Sequence, residues 1–213
     1  MTVEQLWNAV WHNGESLSPR YAYERVLFLE RAGFLERVKT PGSLKSHYRA
    51  LKPAVAIVCE RSQSVDGIPS PRVPTNEIPH VDTLTEVRLA VLRSGRLGEW
   101  KTDRVLVLEP SFPRERFEHA VPDAIWTTKK QGRRIAVEYE RTRKGRTRIK
   151  QKVDLFAREL SRADRFFDLV LWIATPGAYR DLENVLGTHP GQRLRTVQQF
   201  LDELRAKPAG SEE

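Results

Sequence analysis

Val121-Pro122-Asp123-Ala124 and Ile135-Ala136-Val137-Glu138-Tyr139-Glu140 each set a carboxylate at the edge of an apolar, strand-like run. A glycine-containing loop, Lys129 to Arg133, lies between them, so the two runs read as the arms of a hairpin. Pairing of those arms brings Asp123 and Glu138 within reach of one shared divalent cation. The tract Arg141 to Lys152 that follows is densely basic. Paired carboxylates beside concentrated positive charge point to a metal site that handles a phosphate backbone.

The charge distribution supports that direction. Between Lys129 and Lys152 stand eleven Lys/Arg and two Glu, whereas the rest of the chain holds 25 basic and 26 acidic residues. The net charge of +8 therefore comes from one segment, and a focused patch steers polyanions better than scattered charge. No apolar run approaches the roughly 20 residues that a membrane-spanning helix needs. The start, Met1-Thr2-Val3-Glu4-Gln5, lacks the basic and apolar regions of a signal peptide, and the single cysteine, Cys59, excludes an internal disulfide framework. A cytoplasmic protein without membrane partners is expected.

Upstream, residues 3–13 show helical spacing of Val3, Leu6, Trp7 and Val10. Ser18 followed by Pro19 predicts a capped helix over 19–32 that stops at Gly33. Phe34–Val38 and His47–Leu51 alternate around Pro41-Gly42, a second hairpin signal. Helix, helix and basic hairpin is the order of a winged helix-turn-helix, either trimmed or completed by a helix from the second domain or a partner. On that reading Arg20, Tyr21 and Tyr23 meet base edges, while Lys39, Lys45 and Arg49 on the wing meet phosphates. Residues 1–60 then form a DNA-binding domain. The Ser/Pro/Gly-rich residues 61–79 form a linker, residues 80–206 a second domain and residues 207–213 a disordered tail.

In the second domain the pattern predicts a helix from His80 to Leu92 and strands at 104–108, 122–127 and 133–140. A helix over 147–162, a buried strand over 167–174, a helix over 177–186, a strand over 193–196 and a final helix over 197–204 follow. This is an α+β chain, its second part a mixed sheet flanked by helices. Alternation puts Glu138 and Glu140 on one strand face, where two like charges need a cation or arginines to compensate. A plainer reading makes Asp123 a turn residue and leaves both glutamates facing solvent beside arginines. The five tryptophans, Trp126 among them, most simply fill core.

Taken with Pro122-Asp123, Glu138 and Glu86 on the opening helix, the order helix–strand–Asp strand–Glu strand–helix–strand resembles the PD-(D/E)xK nuclease superfamily. That resemblance implies Mg2+ held by Glu86, Asp123 and Glu138. It also implies a lysine two residues after Glu138, but Glu140 stands there. Two outcomes follow: Lys150 or Lys152 on the next helix replaces the missing charge, or Glu140 joins the metal shell or marks a site that only binds DNA. Over nearly its whole length the chain also resembles the replication-relaxation family of plasmid- and mobile-element-linked proteins. The matching residues are Leu29–Leu35, His80, Glu86–Leu89, Glu99-Trp100, Pro122-Asp123 and Ala136–Thr142. This second resemblance implies a role in plasmid replication, DNA relaxation or mobilisation. The expected partners are double-stranded DNA and either a second copy of the chain or other replication and mobilisation proteins. Arg141, Arg143, Lys144, Arg146 and Arg148 are the expected phosphate contacts beside the acidic residues. The competing expectation is a non-catalytic repressor or accessory DNA-binding factor with a degenerate nuclease fold.

Overall fold

The computed structural model describes residues 1–10, 18–38, 46–51, 53–54, 76–117, 120–142, 145–187 and 189–206. The chain divides into two compact units, Met1–Leu89 and Ala90–Glu213. The expected linker and tail fall largely outside the described residues, as do Lys39, Lys45, Arg143 and Lys144. Among the described residues no helix is long and apolar enough to cross a membrane.

The first unit contains α1 (Val3–Val10), α2 (Pro19–Arg31) and a two-stranded antiparallel sheet of β1 (Leu35–Val38) and β2 (His47–Ala50). Ser18 caps α2: its hydroxyl accepts the Tyr21 amide at 3.3 Å, and Pro19 occupies the position where a missing N–H costs nothing. Ala22 and Val26, one helical turn apart, are the buried face of α2. The helix stops at Gly33, whose φ of 75° suits a residue without Cβ. A third helix, α3 (Ile78–Arg93), starts in this unit, and its last turn belongs to the second. Asp82 on α3 is tied twice: its carboxylate bonds the His47 ring of β2, and its carbonyl accepts from the Gln5 amide of α1 at 3.3 Å.

The second unit is built on a five-stranded sheet in the order β3 (Leu97–Thr102), β4 (Ala124–Thr128), β5 (Arg134–Glu140), β6 (Leu169–Ala174), β7 (Gln192–Thr196). The first three strands are antiparallel neighbours and the last three run parallel. Parallel neighbours need crossover connections, which α6 (Arg146–Leu160) and α7 (Pro176–Leu186) provide. Alternation sorts the strands into two faces. Ile125, Ala136, Val170 and Trp172 join Val153 and Phe156 of α6 and Leu182 of α7 in the main core. On the other face Trp126 meets Phe200 of α8 (Val197–Ala206) edge-on, with ring centroids 6.5 Å apart. Trp126 is thus a core residue, as its pattern predicts.

One strand prediction is corrected. The strand expected at 104–108 is a short helix, α4 (Asp103–Leu106), and the edge strand lies just before it at Leu97–Thr102. The apolar run Val105–Leu108 has no period that separates strand from helix. Its Leu106 is buried in the main core from a helical turn. The true strand hides behind Gly98 and a register irregularity between Leu97 and Glu99. A second short helix, α5 (Arg114–Phe117), also lies where no element was anticipated, and its Phe117 is fully buried.

α6 carries a charge in its buried stripe. Glu159 is 3% exposed and accepts the Phe166 amide at 2.6 Å, and Arg116 of α5 approaches it at 3.4 Å. Truncating it to alanine leaves that amide without its acceptor, while the Arg116 guanidinium keeps its two bonds to Asp164. Glu159→Ala is therefore expected to lower stability in urea unfolding by about 2 kcal/mol. Glu159→Gln, which still accepts from the amide, should recover about half.

Candidate active site

The hairpin of β4 and β5 forms as the sequence predicts, with Ala124 level with Val137 and Trp126 level with Ile135. Continuing that register by one residue brings Asp123 level with Glu138. Asp123 is fixed at both ends. Its carbonyl accepts the Asp103 amide at 3.0 Å, and its side-chain Oδ2 accepts the Tyr139 amide at 2.8 Å. The second bond orients the carboxylate against β5 beside the next acidic side chain. A turn residue facing water would not be held in this way.

Glu138 and Glu140 are 1% and 2% exposed, which overturns the reading that leaves them in solvent. Both lie on the α6 face of β5, with Ala136, because they share its parity. Lys152, on the second turn of α6, places its ammonium directly on Glu138 Oε1. Glu138 Oε2 is buried and has no hydrogen-bond partner among the described residues. Lys150 is exposed and makes no ion pair among the described residues. Of the two lysines that the sequence offers, the structure brings Lys152 to the carboxylates.

The electrostatics follow from burial. Desolvation, then repulsion from Asp123, pushes the Glu138 carboxyl up to about 8, although the Lys152 ammonium pulls the other way. Burial works to lower the Lys152 pKa, but Glu138, Asp123 and Glu140 together outweigh it and hold the ammonium above the ordinary lysine value. The two shifts are in tension, because an ammonium is held by an ionised partner while burial favours the neutral acid. The direct ammonium–carboxylate contact decides for a charged lysine. The upward shift at Glu138 then records how costly its negative charge is with a single cation nearby.

A cleft of about 610 Å³ opens between α6 and the α5 segment, and of the acidic cluster and its lysine it is lined by Glu140 and Lys152. Trp172 of β6 also lines it, with Arg148, Gln151 and Arg158 from α6. Gln151, Lys152 and Arg158 stand three, four and ten residues after Arg148, within about 120° of arc, so the four occupy one side of the helix. Arg148 and Arg158 are exposed and make no ion pair among the described residues. Arg146 and Lys150, also exposed, extend the cationic surface along α6, and the carbonyl of Arg141 accepts the Thr175 hydroxyl at 2.8 Å. Arg116 and Arg158 were not singled out by the sequence, although Arg158 follows Arg148 at helical spacing.

A hard cation fits two carboxylates of this kind. Mg2+ is usually held by one or two protein carboxylates while water and phosphate complete its shell. The fit rests on the unpartnered, buried Oε2 of Glu138 and on the repulsion that Asp123 exerts there. Among the described residues no group of three or more His, Cys, Asp or Glu side chains is gathered for a metal. Glu86 belongs to the part of α3 in the first unit, whereas Asp123 and Glu138 belong to the second.

In the first unit, Tyr21 and Tyr23 are exposed on α2. Arg20 is also exposed but is bonded to Glu24 at 2.9 Å, and Arg49 of β2 is paired with Glu36 across the hairpin.

Comparison of the chain with protein-family models, with curated protein sequences and with solved structures finds no match.

Proposed function

We propose that the protein binds DNA and cleaves a phosphodiester in a Mg2+-dependent reaction, with Asp123, Glu138 and Lys152 as the working side chains. The observation that carries this reading is the convergence of two carboxylates and one ammonium, from the residue before β4, from β5 and from α6, the lysine also lining an arginine-bearing cleft. Asp123 and Glu138 would hold the cation, which when bound polarises a phosphoryl oxygen and lowers the pKa of a coordinated water. Lys152 replaces the lysine that the nuclease motif has where Glu140 stands. Its ammonium would stabilise charge that develops on the phosphate. Burial and the α5 segment limit water around these groups, which strengthens each electrostatic contact.

The first unit would grip duplex DNA as a winged helix, with α2 as reading helix and β1–β2 as wing. The start of α3 would serve as the completing helix that the sequence calls for, and its ties through Asp82 support that role. The resemblance of the sequence to the replication-relaxation family supports a role in plasmid or mobile-element replication or mobilisation, with a second copy or other proteins of that process as partners. A second reading, a repressor or accessory DNA-binding factor with a degenerate nuclease fold, draws on one observation. Lys152 already occupies one oxygen of Glu138, which removes a ligand position from the cation.

Nicking of supercoiled plasmid with and without Mg2+ separates the two. Mg2+-dependent conversion to the open circle supports the enzyme. DNA binding with no cleavage in Mg2+ or Mn2+ supports the regulator and ends the catalytic reading. Binding itself should be strongly salt-dependent. Arg146→Ala and Arg148→Ala should each weaken it to a similar extent on unrelated duplexes. Each should reduce the slope of log K against log salt by about 1, read by fluorescence anisotropy between about 50 and 200 mM salt.

A further inference from the structure

A second cleft, of about 530 Å³, opens on the sheet face turned away from α6. The register explains its composition. Trp126 is level with Ile135, Ile135 with Leu169, and Leu171 with Arg193, so one face carries an apolar floor that ends in arginine. Phe200 and Leu204 of α8 form a wall. The rim is cationic, with Arg96, Arg133, Arg193 and Arg195 set against one carboxylate, Glu203.

That carboxylate is already engaged. Arg195 Nε donates to Glu203 at 2.5 Å, and another of its nitrogens donates to the Leu194 carbonyl at 2.8 Å. Arg133 and Arg193 are exposed and make no ion pair among the described residues. Positive charge held over low-dielectric walls draws in anions, and the guanidinium fork matches phosphate oxygens two at a time. An apolar floor beneath that charge adds binding only for a ligand with a flat, poorly hydrated body. The volume lies within the range of small-ligand sites, about 300–1,000 Å³.

The geometry points to a nucleotide-binding site, with Arg133 and Arg193 on the phosphate and the base laid on the floor of Trp126, Ile135 and Leu171. The cleft shares no lining residue with the one that holds Glu140 and Lys152. The inference therefore does not depend on the catalytic reading. A free mononucleotide and one unit of a nucleic-acid strand present the same groups, so the source is decided by measurement.

Calorimetric titration of the full chain with AMP, with inorganic phosphate and with a single-stranded oligonucleotide tests the site. AMP is expected to bind at least tenfold more tightly than inorganic phosphate. The double variant Arg133→Ala/Arg193→Ala should weaken AMP binding at least tenfold, with an unchanged melting temperature because both side chains are exposed. Arg148→Ala/Arg158→Ala, in the other cleft, should leave AMP binding within twofold. If the oligonucleotide displaces AMP and loses affinity in the first double variant, the ligand is a strand. If its affinity does not move while AMP binding falls, the ligand is a free nucleotide. AMP binding no tighter than inorganic phosphate, or insensitive to Arg133→Ala/Arg193→Ala, overturns the proposal.

Discussion

Asp123→Asn will make the protein more stable and, on the proposed function, abolish Mg2+-dependent nicking. Asparagine keeps an oxygen to accept the Tyr139 amide, so the hairpin geometry survives. What disappears is the charge that repels Glu138 inside a buried site. Relief of that repulsion should raise stability by about 1–2 kcal/mol at pH 8, a rise of about 2–4 °C in Tm per kcal/mol. Sites that assemble like charges for catalysis are commonly destabilising when empty, and neutralising them restores stability at the cost of activity. Activity should fall by about three orders of magnitude or more. A variant that melts lower than the parent, with circular dichroism unchanged, would show that Asp123 serves the fold. Undiminished nicking would remove it from the reaction.

The same repulsion sets a pH dependence. Glu138 titrates near 8 in the folded protein, against an ordinary value of 4.5. A carboxyl raised on folding lends stability that is complete below 4.5 and fades as pH climbs to about 8. Thermal melts of the cation-free protein should therefore fall between pH 5 and pH 8. In Asp123→Asn, with a lower Glu138 pKa, the decline should be shallower and finish earlier. A parent protein whose melting temperature rises steadily over that interval would contradict the burial of an isolated acidic pair.

Much of this site was legible in the chain because its parts are local. The hairpin signal from Val121 to Glu140, the glycine loop and the two-residue period of β5 fix which residues share a face before any coordinates are known. Burial of Glu138 and Glu140 was not legible, since it depends on α6 and β6 closing over β5, and alternation alone treats a solvated and a covered face alike. Glu159 shows the same limit more sharply. It sits three residues after Phe156, where a stripe of apolar residues predicts carbon, and its partner Arg116 lies 43 residues away. The edge strand 97–102 escaped for a different reason. Glycine and a bulge blur its alternation, while the stronger apolar run next to it is helical.

The choice between Lys150 and Lys152 shows where sequence stops and geometry begins, and it yields the second large effect. Two residues on a helix stand about 200° apart, so one of these lysines can face β5 only if the other faces away. The contact with Glu138 assigns the inward place to Lys152. Lys152→Met is expected to cut nicking by about 10²–10³-fold, the scale of losing one preorganised charge-stabilising donor, with DNA affinity within threefold of the parent. Lys150→Met should leave the cleavage rate on bound DNA within twofold. Stability separates a charge effect from loss of packing. Without the ammonium, Glu138 takes up its proton more readily and its pKa climbs beyond 8. At pH 5, where Glu138 is protonated in either protein, Lys152→Met should cost about 1 kcal/mol. By pH 9, where Glu138 is ionised in the parent and still largely protonated in the variant, the cost should rise to about 2 kcal/mol. A penalty that stays flat with pH would make Lys152 a packing residue, and a loss of nicking in Lys150→Met alone would hand the catalytic role to the other lysine.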